Sequence, residues 1–201
     1  MAGVAVVAIC TVPFRSFAAT VAPRFPIMVR PLPLTDIRLR PSDYATAVQV
    51  NQDYLLSLSP DRFLHNFRKY AGLEPKAPIY GGWESDTIAG HTLGHYMTAL
   101  VLGWQQTGNP ECRTRADYIV GELALCQSKR ADGYVGGLGR KNQDGEIVDG
   151  REIFDEIKRG RIKSGGFDLN GSWAPLYTVH KTFAGLLDVH AAWGNPKALD
   201  V

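Results

Sequence analysis

The sequence predicts an all-α protein assembled from helical hairpins, the plan of a helical array or toroid. Two segments carry this expectation. Residues 99–110 run apolar and stop at Gly108-Asn109-Pro110, and residues 185–196 run apolar and stop at Gly194-Asn195-Pro196. Each reads as a helix, a tight turn and the start of another helix, and a hairpin repeated in this way marks a stacked architecture. Composition agrees: 45% hydrophobic and 21% charged residues suit a globular chain. The second copy is cut short at Val201, so the chain is expected to be part of a larger protein.

The elements follow in order. Val4 to Val12 is an apolar run too short to span a bilayer. Ser16-Phe17-Ala18 then offers the small residues that a signal peptidase cleaves after. Residues 1–18 are therefore expected to be an export signal, although no Lys or Arg precedes the apolar run, and the mature chain is expected outside the cytoplasm, secreted or periplasmic. Residues 19–41 form a proline-rich, extended arm, and residues 42–201 belong to the helical domain. Ser42 or Asp43 caps a helix running to about Leu58. Pro60-Asp61 opens a second, short helix to about Tyr70, with Phe63, Leu64 and Phe67 on one side. Residues 72–82 form a loop. A helix spans about His91 to Thr107, and Pro110 starts the next, which ends near Lys129.

From Arg130 to Pro175 the helical pattern breaks into a glycine-rich stretch with one helical turn near Glu152 to Lys158; stretches of this length are often functional. A strong helix resumes at Leu176. Its apolar stripe is Leu176, Val179, Phe183, Leu186, Leu187, His190 and Trp193. If neighbouring helices are antiparallel, both Gly-Asn-Pro turns share one end of the bundle. His91, His95, Tyr134 and His180 then gather at the other.

The net charge of +2 gives no reason to expect a nucleic-acid partner, and the basic run Lys158-Arg159-Gly160-Arg161-Ile162-Lys163 reads as a solvated loop. Cys112 and Cys126 lie about 21 Å apart along one helix, too far to bridge, and read as packing residues. His91 and His95 share a helix face away from Leu93, Leu100 and Trp104. Gly90 and Gly94 bare the backbone beside them for a ligand or another helix. With Trp83 nearby, this face is expected to bind a polyol. A metalloprotease pattern fails because Thr92 stands where a glutamate is needed. Glu84 and Asp86 suit sugar hydrogen bonding or helix capping better than a catalytic carboxylate pair. Tyr134, after the Asp132-Gly133 turn, is free to stack on a sugar or to fill a gap. His180 is open to a ligand role or to a half-buried place in the core.

At these residues the chain resembles a known family. Gly90-His91-Thr92-Leu93-Gly94-His95-Tyr96, Asp132-Gly133-Tyr134, and Trp173 to Lys181 with Gly194-Asn195-Pro196 are similar to the N-terminal part of the β-L-arabinofuranosidase family of glycoside hydrolases. The resemblance implies an (α/α)6 toroid, incomplete in this chain, and release of L-arabinofuranose from arabinose-containing plant glycans. It implies zinc in the full-length protein, bound by three cysteines and a glutamate later in the toroid, with a zinc-bound cysteine as nucleophile. No zinc ligand and no catalytic residue is expected in this chain. Trp83, His91, His95, Tyr134 and His180 are the expected substrate-binding residues. No membrane association is expected once the signal is removed.

Overall fold

In the computed structural model, which describes residues 29–201, the repeated turns place two long helices side by side. The expected export signal and the first part of the proline-rich arm lie outside the described residues. Residues 29–32 have no regular structure; from Pro33 onward the chain forms one compact unit.

Helix α1 spans Asp43–Ser57, and the Ser42 hydroxyl accepts the Ala45 amide at its start. Two short helices follow, α2 (Pro60–Phe63) and α3 (His65–Tyr70), divided at Leu64. They bury Phe63, Leu64 and Phe67. The central hairpin is α4 (His91–Thr107) and α5 (Pro110–Ser128). It is antiparallel: Tyr96 Oη lies 3.3 Å from Arg115, and Gly103 faces Cys112. Leu93, Met97, Leu100, Ile119, Val120 and Leu123 form the heart of the core between these helices. Arg68 and Lys76 both pair with the buried Glu122 of α5 and tie α3 and the following loop to the hairpin.

Residues 130–174 form a layer of short elements where the sequence suggested little beyond one helical turn. Strands β1 (Gly139–Lys141) and β2 (Ile147–Asp149) pair antiparallel, with Arg140 opposite Val148. Helix α6 spans Glu152–Lys158. Then β3 (Ser164–Gly165), β4 (Asp168–Leu169) and β5 (Ser172–Trp173) form a small antiparallel meander, with Asp168 opposite Trp173. This layer is fastened to the segment leading into α4. Gly139 N–H donates to the Thr87 carbonyl (3.0 Å), and Trp173 N–H donates to the Thr87 hydroxyl (2.9 Å).

Helix α7 (Pro175–Trp193) runs parallel to α4. Gly94 faces the Lys181 backbone, Thr98 donates to Asp188 (2.6 Å), and Trp104 meets Trp193 edge-on at 5.2 Å. The two Gly-Asn-Pro turns therefore do share one end, and the starts of α4 and α7 share the other. Both turns use the same backbone, with φ of 75° at Gly108 and 69° at Gly194, and the second leads into α8 (Lys197–Asp200). Their asparagines act differently. Asn109 caps α5 through the Glu111 amide (2.9 Å), whereas Asn195 and Trp193 both donate to Asp117 of α5 (2.6 and 2.9 Å).

The face of α7 differs from the expected stripe. Leu176, Phe183 and Leu187 are half or more exposed, while Thr178, Thr182, Gly185 and Val189 are buried. The reason is the closeness of the two helices. A Cβ on Gly94 would sit 2.0 Å from the Lys181 carbonyl oxygen, and one on Gly185 2.7 Å from the Gly94 carbonyl oxygen. Only small side chains fit this seam, so spacing of large apolar residues points to the wrong side of the helix. Overall the fold is mostly helical, as a partial all-α toroid requires.

Candidate functional site

The site is built where α4 and α7 begin. Glu84 lies in a 3₁₀ turn, Gly82–Ser85, and is 5% exposed. Its carboxylate accepts the amides of Gly90 (2.9 Å) and Thr92 (3.3 Å) and the Thr92 hydroxyl. These are free N–H groups of the first turn of α4, where the positive end of the helix dipole also favours a carboxylate. Glu84 is thus a helix cap, and its lone pairs are occupied. Asp86 accepts its neighbour's amide at 2.6 Å. The two do not form a carboxylate pair facing a common space.

Capping by Glu84 turns the same 3₁₀ segment so that Trp83 stands beside the helix start. Trp83 is 62% exposed. It meets Trp173 of β5 edge-on at 5.6 Å and His91 at 6.0 Å. His91 is only 6% exposed. Its Nδ1 contacts the Ile88 carbonyl oxygen at 2.9 Å and the Glu84 carboxylate at 3.2 Å. A carbonyl only accepts, so Nδ1 carries the proton, and the Glu84 carboxylate lies within reach of the same N–H. One turn later His95 is exposed and lies 6.1 Å from His91, edge to face. Across the seam, Tyr177 of α7 approaches both rings, and its hydroxyl lies 3.0 Å from His95 Nε2. Lys181, one turn further on, places its ammonium 4.9 Å from the Tyr177 ring. Burial, then the Lys181 cation and His91, hold the His95 pKa below its ordinary value of 6.5.

Trp83, Trp173, His95 and Tyr177 therefore make one partly exposed aromatic surface, and His91, buried and with both ring nitrogens in contact with Ile88 and Thr92, backs it. Next to it, a hollow of about 340 Å³ is lined by Phe167, Leu169, Pro175 and Tyr177. Flat rings supply stacking faces for the C–H groups of a sugar, and imidazole and phenol supply hydrogen bonds to hydroxyls. Ala174 shapes the surface too. It joins Trp173 to α7 in the left-handed region, φ 47°, a conformation that costs an alanine energy and that collects at functional sites.

Three of the five residues expected from sequence meet here, and two do not. Tyr134 packs against Phe154 at 5.8 Å and under the Arg130 guanidinium. Its hydroxyl is buried without a hydrogen-bond partner, against the bare backbone of Gly136. The Asp132 carboxylate accepts the Tyr134 amide, which turns the ring into this gap-filling position. The gap-filling alternative is the one that the structure realises. Desolvation raises the Tyr134 pKa far above the phenol range. His180 is exposed among Leu176, Phe183 and Leu187 on the outward side of α7. It precedes Lys181, and one residue turns a helix by about 100°, so it cannot share the side that Tyr177 and Lys181 present to α4. The convergence of three imidazoles and one tyrosine on a single mouth is thereby corrected to two imidazoles, His95 exposed and His91 buried behind it. Tyr177 and Trp173 were missed as site residues. Tyr177 precedes Lys181 by one turn, so the parallel placing of the two helix starts could have found it.

Among the described residues no three His, Cys, Asp or Glu side chains come together to hold a metal ion. Cys112 and Cys126 are both buried in the core. Desolvation raises both thiol pKa values, that of Cys126 to about 11, so both stay neutral at pH 7. The described residues do not fit a zinc centre.

Residues 36–201 match the family model described as beta-L-arabinofuranosidase, GH127 catalytic domain. No curated protein matches the chain.

Proposed function

Because the chain belongs to the GH127 β-L-arabinofuranosidase catalytic-domain family and so to the glycoside hydrolases, we propose that it serves an exported enzyme releasing L-arabinofuranose from arabinose-containing plant glycans. In this reading the chain supplies part of the sugar-binding wall, and the zinc-cysteine centre is supplied by sequence beyond these 201 residues. The aromatic surface carries the reading: Trp83, Trp173, His95 and Tyr177, backed by His91, sit together at the helix starts, which is the collecting end of a hairpin array. Glu84, fully engaged as a cap, gives no support to a carboxylate-pair mechanism. The chain alone is accordingly expected to bind arabinofuranosides without cleaving them.

Titration of the 201-residue chain with methyl β-L-arabinofuranoside, followed by tryptophan fluorescence, tests the binding. Trp83→Ala is expected to weaken it tenfold or more, since one aromatic platform is lost. Binding unchanged in both Trp83→Ala and Tyr177→Ala would overturn the reading. Turnover of a chromogenic β-L-arabinofuranoside by the chain would overturn the division of labour.

A further inference from the structure

A second cavity among the described residues lies apart from the aromatic surface. It is a cleft of about 660 Å³ bounded by β1, α6, the loop 159–163 and the turn between β4 and β5. Arg140, Glu156, Arg161, Lys163, Asp168 and Asn170 line it. Its volume falls in the range of small-ligand clefts. The basic run that the sequence offered as a solvated loop forms one wall.

The charges in this cleft are unevenly matched. Glu156 pairs with Arg140 at 3.0 Å and accepts from Asn170 at 2.6 Å. The Arg140 guanidinium, first, holds its carboxyl below the usual range, so it stays ionised and spent. Asp168 accepts the Gly171 amide at 3.1 Å. Arg161 and Lys163 have no carboxylate within ion-pair distance among the described residues, and neither do Lys158 and Arg159 beside them. Arg161 and Lys163 are exposed, Arg161 contributes to the lowered Glu156 pKa, and Asp168 likewise has no cation at ion-pair distance among the described residues, so the wall carries two exposed cations against one unpaired carboxylate.

The wall is also fixed in place. Asn170 is 8% exposed and adopts the left-handed region, φ 53°. From there its side chain accepts the Lys163 amide (2.7 Å) and donates to the Arg161 carbonyl (2.9 Å), and its own amide donates to the Lys163 carbonyl (2.8 Å). One strained, buried asparagine thus clamps the backbone at both unpaired cations. The run 158–163 is exposed, as its sequence suggests, and the clamp fixes the backbone that carries Arg161 and Lys163, which lowers the ordering cost of binding an anion there.

We propose that this cleft binds a carboxylate-bearing sugar, a uronate unit, through Arg161 and Lys163. The class of ligand follows from position and rests on the glycan-binding reading above. Asp168 of the cleft and Trp173 of the aromatic surface are partners across the β4–β5 pair, so one small sheet carries both. A polysaccharide lying over the sheet presents a neutral arabinosyl group to the rings and an acidic unit to the cations. Planar guanidinium matches a carboxylate in two parallel hydrogen bonds.

The test titrates the 201-residue chain with trigalacturonate, arabinotriose and inorganic phosphate, before and after Arg161→Gln/Lys163→Gln, whose retained fold is checked by circular dichroism. Trigalacturonate is expected to bind, to lose tenfold or more in affinity in the double variant, and to weaken as salt rises, while arabinotriose binding is unchanged. Asn170→Gly keeps the backbone conformation but removes the clamp, and is expected to weaken trigalacturonate in the same direction. No trigalacturonate binding at millimolar concentration, equal binding in wild type and double variant, or phosphate bound as tightly as trigalacturonate would each overturn the proposal. Loss of arabinotriose binding with trigalacturonate binding intact would strike the arabinofuranoside reading instead and leave the basic cleft standing.

Discussion

Gly94→Ala probes the seam on which the aromatic surface depends. The added methyl would lie 2.0 Å from the Lys181 carbonyl oxygen, 2.2 Å from its carbon and 2.7 Å from the Thr182 nitrogen. All three are backbone atoms of α7, so no side chain can swing aside. Reaching ordinary contact at 3.4 Å requires α4 and α7 to part by about 1.4 Å along that line. Overpacking of this kind costs about 1–3 kcal/mol, and an obstruction of main chain belongs at the top of that range. Alanine returns about 1 kcal/mol of helix propensity. The net loss is about 2 kcal/mol, a fall of roughly thirtyfold in the folding equilibrium. Gly121→Ala is the control: it also lies inside a helix, with nothing within 4 Å of its added methyl. It is expected to gain up to about 1 kcal/mol by the same propensity. Urea unfolding of both variants, followed by circular dichroism, measures the difference. Gly94→Ala as stable as Gly121→Ala would refute the close-packed seam. Because His95 and Tyr177 reach across that seam, Gly94→Ala should also weaken methyl β-L-arabinofuranoside binding.

Two more outcomes follow from single groups. Tyr134→Phe removes a buried, unpartnered hydroxyl and is expected to be neutral or stabilising by up to about 1 kcal/mol in the same urea assay. Gly136→Ala, whose methyl would lie 2.1 Å from that hydroxyl, should destabilise, and less so in the Tyr134→Phe background; equal losses in both backgrounds would deny the contact. The His95 imidazole should titrate by NMR with a midpoint below 6.5, and Lys181→Gln should raise it. Since its folded pKa lies below its unfolded value, the unfolded chain binds the proton more readily. The contribution of His95 to stability is complete above about pH 6.5 and declines as pH falls from there toward the folded pKa. A midpoint at or above 6.5 would refute the reading.

Local chemistry made much of the fold legible in the sequence. Ser42, Gly108, Pro110 and Gly194 are stop and start residues with one dominant use each, and the helices end where they stand. Hidden were the five strands of residues 139–173. They are two or three residues long, four of the five carry glycine or charge, and they are too short to show the alternation that marks a strand. The outward turn of Leu176, Phe183 and Leu187 was hidden for another reason: backbone contact at Gly94 and Gly185 selects small residues, so packing overrides hydrophobic spacing. Trp83, His91 and His95 could be found because they are close in sequence to one helix start. Tyr134 and His180 depend on loop path and helix rotation, which spacing alone leaves open.

The twin Gly-Asn-Pro turns have an outcome for how such a chain is extended. In the first, Asn109 caps the start of the helix that follows it. The second reaches backward, since Asn195 and Trp193 grip Asp117 of the hairpin before it. Identical tripeptides thus do different work: one caps the helix it begins, and the other latches onto the hairpin before it. Moving Asp117 would leave the shape of the second turn intact and unmoor it from its neighbour.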